Sequence, residues 1–421
     1  MAKPSKRSLE FLDWEFGIFF HFGIRTFYRG HKDWDNRPMP AEGFNPTDLD
    51  CESWILTAKE AGARYCLLTT KHHDGFALWP SKYTDYSVAH TPWKDGKGDV
   101  VREYVDACRK HDMKVGLYYS PAQWGGTVSF AEEKAYDDYF INQISELLTN
   151  YGEIDYLWFD GCGSEKHTYD KVRIIGAIRS LQPNIRIFDM WDPDTRWVGN
   201  EDGYCPLPNL YTVDSVPLSV NATEGHAIGE PKFLPPECDT KMRDSWFDDD
   251  NVETMRTAAE LVGEYESSVG HGANYLLNIG PDRSGHLPEP DVKVLKEFAD
   301  EIKRRYDSPL PFGAPKTEGN RTSIETPDGQ AGWIQSPVGT KLVDTVEICE
   351  DITNGGAVRS FRLIARMPYC GRECCIFESS TIGHKRICRF PAVLTSKLTL
   401  EITEADGEAT ITSMKAFYVA K

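Results

Sequence analysis

Asp160 closes a run, Ile154-Asp-Tyr-Leu-Trp-Phe-Asp160, in which an apolar stretch ends in one carboxylate and then breaks into Gly161-Cys-Gly163. That pattern puts a charge at the C-terminal tip of a strand. Parallel barrels build their active sites from such tips, because the loops after the strands converge on one mouth. A carboxylate there can attack an electrophile or direct a proton; it can also simply cap the next helix by accepting from orphan amides. Chemistry is favoured because other strand candidates end in kind. Phe16–Phe20 runs into His21, Tyr65–Thr70 into Lys71-His72-His73-Asp74, and Lys114–Tyr119 into Tyr118-Tyr119-Ser120. Imidazoles and phenols exchange hydrogen bonds with hydroxyls, while Trp158 and Phe159 offer flat faces that pack on C–H surfaces. A sugar presents both kinds of surface.

Each group also has a plainer reading. A histidine inside Phe19-Phe20-His21-Phe22 is more often a core residue than a functional one. Adjacent strand residues point to opposite faces, so His72 and His73 serve one site only where the backbone turns, and Asp74-Gly75 supplies that turn. Asp33 and Trp34 follow strand one closely enough to join the same pocket. Three histidines and an aspartate raise the idea of a metal, but neither His-x-His nor His-Glu-x-x-His occurs among them. A Gly-x-Ser-x-Gly elbow, a Gly-x-Gly-x-x-Gly turn after a strand and a phosphate cradle are likewise missing. No metal and no cofactor are expected.

A glycosidase needs a second carboxyl, one protonating the departing oxygen while the other attacks or directs water. Glu237 is the best candidate, in Phe233-Leu-Pro-Pro-Glu237-Cys-Asp239, with Arg243 and Trp246 following. Asp239 is its nearest rival. Glu201, in Gly199-Asn-Glu201-Asp-Gly203, is another acid placed after a strand.

The elements that must position these groups alternate. Strands are expected at Phe16–Phe20, Tyr65–Thr70, Lys114–Tyr119, Asp155–Phe159 and Ile185–Phe188, with helices at Asp50–Ala61, Asp99–His111, Glu132–Tyr151 and Tyr169–Leu181 between or after them. From Trp191 to Asp250 only Lys232–Leu234 suggests a strand. A helix over Asn251–Val269, a strand over Ala273–Ile279 and a helix over Asp291–Asp307 follow. The series implies an α/β fold, a (β/α)8-like TIM barrel over residues 1–307. Beyond the Pro-rich Ser308-Pro-Leu-Pro-Phe-Gly the pattern is all short strands, implying a small C-terminal β-sandwich over 308–421.

Composition narrows the partners. The 47 basic residues face 65 acidic ones, a formal charge of −18 that disfavours nucleic acid and anionic membranes. No apolar run reaches membrane-spanning length, and Met1–Leu12 lacks the apolar core of a signal peptide, so a cytoplasmic protein is expected. Eleven scattered cysteines suit buried structural thiols better than a disulfide framework, including the cluster of Cys370, Cys374, Cys375 and Cys388 with His384.

The motifs Gly17-Ile-Phe-Phe-His-Phe-Gly, Phe44-Asn-Pro-Thr, Thr69-Thr-Lys-His-His-Asp-Gly-Phe, Gly116-Leu-Tyr-Tyr-Ser, Leu157-Trp-Phe-Asp-Gly and Asn274-Tyr-Leu-Leu-Asn-Ile-Gly-Pro-Asp resemble, in this order, glycoside hydrolase family 29, the retaining α-L-fucosidases. The resemblance implies an exo-acting hydrolase that releases terminal α-L-fucose by double displacement, with a fucosylated oligosaccharide or glycoconjugate as its partner. It implies that Asp160 is the nucleophile and that His21, His72, His73 and Tyr118 hold the fucose hydroxyls. Asp33 and Trp34 match the family's acid–Trp pair, the acid being usually Glu. Phe19 and Trp158 would wall the methyl side. The segment Pro236-Glu-Cys-Asp-Thr-Lys-Met-Arg-Asp-Ser-Trp-Phe looks like the subgroup preferring α-1,3/4-linked fucose, in which Glu237 would be the acid/base, with Arg243 in the same motif. It departs from that subgroup at Lys241-Met-Arg-Asp-Ser-Trp246, where Ile-Arg-Pro-Gly-Trp is usual. The rival readings are a non-catalytic fucose-binding protein and a metal-dependent hydrolase.

Overall fold

The computed structural model describes residues 2–32, 34–126, 128–217, 226–327 and 339–420. It opens with a helix that the apolar patterning does not announce, α1 (Lys6–Trp14), whose N-cap Ser5 accepts from the Ser8 amide. Then come β1 (Phe16–Phe20), α2 (Cys51–Glu60), β2 (Tyr65–Lys71), α3 (Val100–Lys110), β3 (Lys114–Tyr119), α4 (Glu133–Asn150), β4 (Tyr156–Phe159), α5 (Lys171–Leu181) and β5 (Arg186–Phe188). The caps work as their chemistry dictates: Asp50 accepts from Ser53 N and Asp99 from Arg102 N, satisfying first-turn amides.

The chain continues through β6 (Arg196–Trp197), β7 (Thr212–Val216), β8 (His226–Phe233), β9 (Pro236–Lys241), α6 (Ala258–Ser268), β10 (Asn274–Asn278) and α7 (Glu289–Tyr306). Eight strands form one parallel sheet in the order β5-β4-β3-β2-β1-β10-β9-β6. A parallel bridge from Phe188 to Thr195 brings the two edges together, giving a near-closed TIM-like barrel. One expectation is corrected here. The strand sought at Lys232–Leu234 ends a β7–β8 hairpin outside the barrel, and the barrel strand is β9. Polar Glu237, Asp239 and Thr240 are buried along β9, so it carries no apolar run to find.

Aromatic layers fill the barrel's interior. Phe11 and Trp14 of α1 plug one end against Tyr156 and Tyr65, with ring centroids 5.2 and 5.4 Å apart. Tyr65 lies flat across β1, which is possible only because residue 17 is glycine: a Cβ there would sit 2.5 Å from the Tyr65 ring. Above these rings come Phe19, Tyr118 and Trp158.

After α7 the strands β11 (Lys316–Glu318), β12 (Arg321–Glu325), β13 (Lys341–Glu350), β14 (Val358–Arg366), β15 (Glu373–Ser380), β16 (Arg386–Thr395), β17 (Lys397–Ala405) and β18 (Ile411–Phe417) make two antiparallel sheets, β11-β12-β17-β14-β15 and β16-β13-β18. These form a β-sandwich whose core includes Val346, Phe361, Leu363, Leu398 and Leu400. Cys388 points into that core, whereas Cys370, Cys374 and Cys375 are exposed, contrary to the expectation of burial. No helix among the described residues is long and apolar enough to cross a membrane.

Candidate active site

A cavity of about 190 Å³ opens at the C-terminal ends of the barrel strands. It gathers Phe19, His21, His72, His73, Tyr118, Trp158, Asp160 and Trp246 from the residues singled out in the sequence. Trp34 stands behind this wall, stacked on His73 at 5.1 Å with its indole N–H donating to Cys162 Sγ at 3.3 Å. Asp33 lies outside the described residues.

Asp160 is the best-held anion of the site. Its Oδ2 accepts from Tyr118 Oη at 2.8 Å and faces His73 Nε2 at 3.2 Å, and its Oδ1 accepts from Cys162 N at 2.8 Å. Burial alone would lift its pKa. The positive field and hydrogen bond of His73, the Cys162 amide and the Tyr118 hydroxyl outweigh that and hold it below the ordinary carboxylate value.

The histidines are oriented by networks that fix their protons. Asn278 donates its amide to Trp246 O at 2.7 Å, so its Oδ1 is the acceptor for His21 Nδ1 at 2.7 Å. Burial drives the His21 pKa down to about 3, against the Asn278 bond and the field of Asp160. His21 is therefore neutral, with Nε2 left as an acceptor for a hydroxyl. Ser120 donates to Ala122 O at 2.5 Å, which leaves its oxygen to accept from His73 Nδ1 at 2.5 Å. His72 stacks on Tyr118 with an interplanar angle of 11°.

Two residues expected in the site are turned away from the cavity. Glu237 has no exposed surface; its Oε2 accepts from Tyr65 Oη at 2.6 Å, and its Oε1 from Trp158 Nε1 at 2.9 Å and Tyr156 Oη at 3.1 Å. It lies beneath the floor made by Trp158. The inward alternation of β9 explains this, since Glu237 falls one layer below Asp239. Arg243 is buried between carboxylates, donating to Asp291 at 2.7 and 3.0 Å and to Asp248 at 3.2 Å.

The cavity also holds acids that the sequence left secondary or unread. Asp239, Glu201, Asp189 and Trp197 all line it. Trp197 joins two of them, its backbone N donating to Asp189 at 3.2 Å and its indole to Asp239 at 2.7 Å. Burial raises Asp189 to about 8 and Asp239 to about 6. Glu201 sits on a tight loop with φ of +60°, 3.8 Å from Lys241 Nζ. That loop is tied to β9 by Gly203 N donating to Asp239 O at 3.1 Å. Asp189 had a readable signal, because Arg186-Ile-Phe-Asp189 repeats the strand-then-carboxylate pattern of Asp160. Trp197 had none, since a two-residue strand leaves no period.

A profile of the α-L-fucosidase family matches residues 3–305. "Alpha-L-fucosidase 1" of Arabidopsis thaliana is 33% identical over 94% of this chain and 83% of its own length. Among solved structures, a putative α-L-fucosidase from Bacteroides ovatus superposes with a TM-score of 0.87 at 33% identity, covering 100% of this chain and 74% of that one. A glycoside hydrolase 29 family member from a rumen bacterium also reaches 0.87, at 32% identity over 100% and 78% of the two chains. With its strand-end cavity and a family match that runs from residue 3 to residue 305, the chain belongs to the α-L-fucosidases of glycoside hydrolase family 29.

Proposed function

We propose that this enzyme removes terminal α-L-fucose with retention of configuration, Asp160 acting as nucleophile and Glu201 as acid/base. In the first step Asp160 Oδ attacks the anomeric carbon, the glycosidic C–O bond breaks and Glu201 gives its proton to the departing oxygen. In the second, water attacks the same carbon, the bond to Asp160 breaks and Glu201 takes the water's proton. His21, His72, His73 and Tyr118 are positioned to meet hydroxyls, and Phe19, Trp158 and Trp246 to cover the apolar face of the sugar.

The observation that carries this reading is the difference between the carboxyls. Asp160 reaches the cavity with three donors stabilising its charge, whereas Glu237 is fully enclosed below Trp158. Glu201 replaces Glu237 in the acid/base role because it lines the cavity and its side chain is 28% exposed. The α-1,3/4 preference drawn from residues 236–247 loses support, since only Trp246 of Glu237, Arg243 and Trp246 meets the cavity.

Two measurements test the mechanism. The anomer first released, followed by proton NMR before mutarotation, should be α-L-fucose. A 2-deoxy-2-fluoro-fucosyl fluoride should label the peptide containing Asp160; label on another residue, or β-L-fucose as first product, would overturn it.

A further inference from the structure

Among the described residues, one group of at least three His, Cys, Asp or Glu side chains has ligand atoms all within 4.8 Å of one another: His72, His73 and Asp160. We propose that this trio binds Zn²⁺ or a similar borderline divalent cation in competition with the sugar, so that the metal is an inhibitor of the enzyme. The inference rests on reading this cavity as the fucose site.

The donor set and its geometry both point to such an ion. Two imidazoles and a carboxylate suit zinc, whereas Mg²⁺ and Ca²⁺ seek six or more oxygens. Zinc bonds of about 2.0–2.1 Å in a tetrahedron put neighbouring donors about 3.3–3.4 Å apart, and His73 Nε2 lies 3.2 Å from Asp160 Oδ2. The outer contacts are those that orient metal ligands. Ser120 accepts from Nδ1 of His73 and so turns Nε2 toward the carboxylate, where the ion would replace the proton that Nε2 shares with Asp160, while the Cys162 amide and Tyr118 hydroxyl fix Asp160. Stacking on Trp34 and Tyr118 holds the two imidazole rings. The His72 donor lies within 4.8 Å of the other two and would draw in to complete the set, with the fourth position open to the cavity.

The competition follows from shared atoms. An ion on Asp160 Oδ2 occupies the lone pair that must attack the anomeric carbon, and it ties up the imidazoles that receive the hydroxyls. No resident catalytic metal is consistent with that geometry, because the attacking group itself would be a ligand. Zinc should therefore raise the apparent KM for an aryl fucoside several-fold while leaving kcat unchanged.

The test is equilibrium dialysis of the whole chain against Zn²⁺, using a Cys370→Ser/Cys374→Ser/Cys375→Ser background to remove the exposed thiols as a competing sink. One equivalent should bind, and L-fucose should displace it. Co²⁺ in place of zinc should give the intense visible bands of a four-coordinate site, and Mg²⁺ should not compete. Asp160→Asn and His72→Gln should each weaken binding at least tenfold, and Ser120→Ala, which only reorients His73, by about 10–100-fold. Zinc uptake untouched by all three substitutions, or no uptake by a protein that turns over fucoside, overturns the site. Fucoside turnover with zinc retained under saturating L-fucose overturns the competition. Uptake that depends on Asp160 and His72 in a protein that cleaves no fucoside would instead sink the functional reading and leave the site standing.

Discussion

Replacing Glu237 by Gln gives a pH-dependent change in stability whose sign follows from the buried carboxyl. Burial and the neighbouring Asp239 push its pKa up, while the Tyr65, Trp158 and Tyr156 hydrogen bonds pull it down; burial wins and the value rests at about 7 against an ordinary 4.5. A carboxyl raised in the folded state contributes its full stability below pH 4.5, where both states are protonated, and loses it as pH climbs through 7. The loss amounts to about 3 kcal/mol for a shift of this size. Gln cannot ionise, and its amide can still accept from Trp158 while donating to the Tyr65 oxygen. The wild-type protein should therefore lose stability relative to Glu237→Gln between pH 4.5 and 7.5. With about 2.1 cal/mol/K per residue over roughly 300 barrel residues, the gap in Tm should move by about 5 °C in favour of the variant. Paired thermal scans across that range measure it. A gap that stays constant, or that grows in the variant's favour as pH falls, would mean that the three donors outweigh burial, and the reasoning would fail. The same variant should keep comparable activity on aryl fucosides and on glycans with poor leaving groups. A selective loss on the latter would return Glu237 to the chemistry.

Asp160→Ala should lower turnover of every fucoside below detection while L-fucose still binds by calorimetry, since His21, His72 and Trp158 remain in place. Glu201→Ala should cost on the order of 10²–10⁴-fold on poor leaving groups, much less on activated aryl fucosides, and azide should restore the latter by taking the place of the deprotonated water; equal losses on both would remove Glu201 from the role. Gly17→Ala would place a methyl 2.5 Å from the Tyr65 ring and should cost about 1–3 kcal/mol, read as a lowered Tm with a weakened Glu237 contact. Exhaustive chelation should leave activity intact or raise it, and a loss reversed by added metal would count against the metal-free mechanism.

What could be read from the sequence depended on whether a residue's role leaves a local trace. The barrel's first half was legible because doubly buried parallel strands are continuous apolar runs and helices between them repeat at three to four residues, as Lys114–Tyr119 and Val100–Lys110 show. Strand β9 was not, because its inward positions carry Glu237 and Asp239, whose partners Tyr65, Tyr156, Trp158 and Trp197 come from other strands. A long-range network of that kind has no period. Asp160 could be singled out because its strand end coincides with those that carry His21, His72, His73 and Tyr118, all of which line the same cavity. That Glu201 lines the cavity while Glu237 is enclosed depends on the depth of each side chain, and depth along a strand depends on register with neighbours rather than on the residues beside it. The partner of Arg243 was hidden for a related reason: Asp291, supplied by α7, pairs with it from 48 residues away.

The electrostatics of the cavity explain why Asp160, rather than Asp189 or Asp239, is the anion. Asp160, Asp189, Asp239 and Glu201 line a single small space, and like charges in a low dielectric raise one another's pKa. Asp189 has the Trp197 backbone amide and Asp239 has an indole and its own backbone amide as donors, and burial leaves both raised. Asp160 has an imidazole, a phenol and an amide converging on it, enough to reverse the effect of burial. Asp239, at about 6, and Asp189, at about 8, thus hold protons through mildly acidic pH and spare Asp160 their repulsion. As pH rises through 6, Asp239 ionises and Trp197 then bridges a neutral and a charged acid at the cavity wall. A leaving glycan oxygen gaining negative character would meet that new charge unfavourably. On the proposal that Glu201 delivers the proton, delivery is better matched to pH below about 6, where Asp239 and Asp189 are protonated and add no charge beside Asp160.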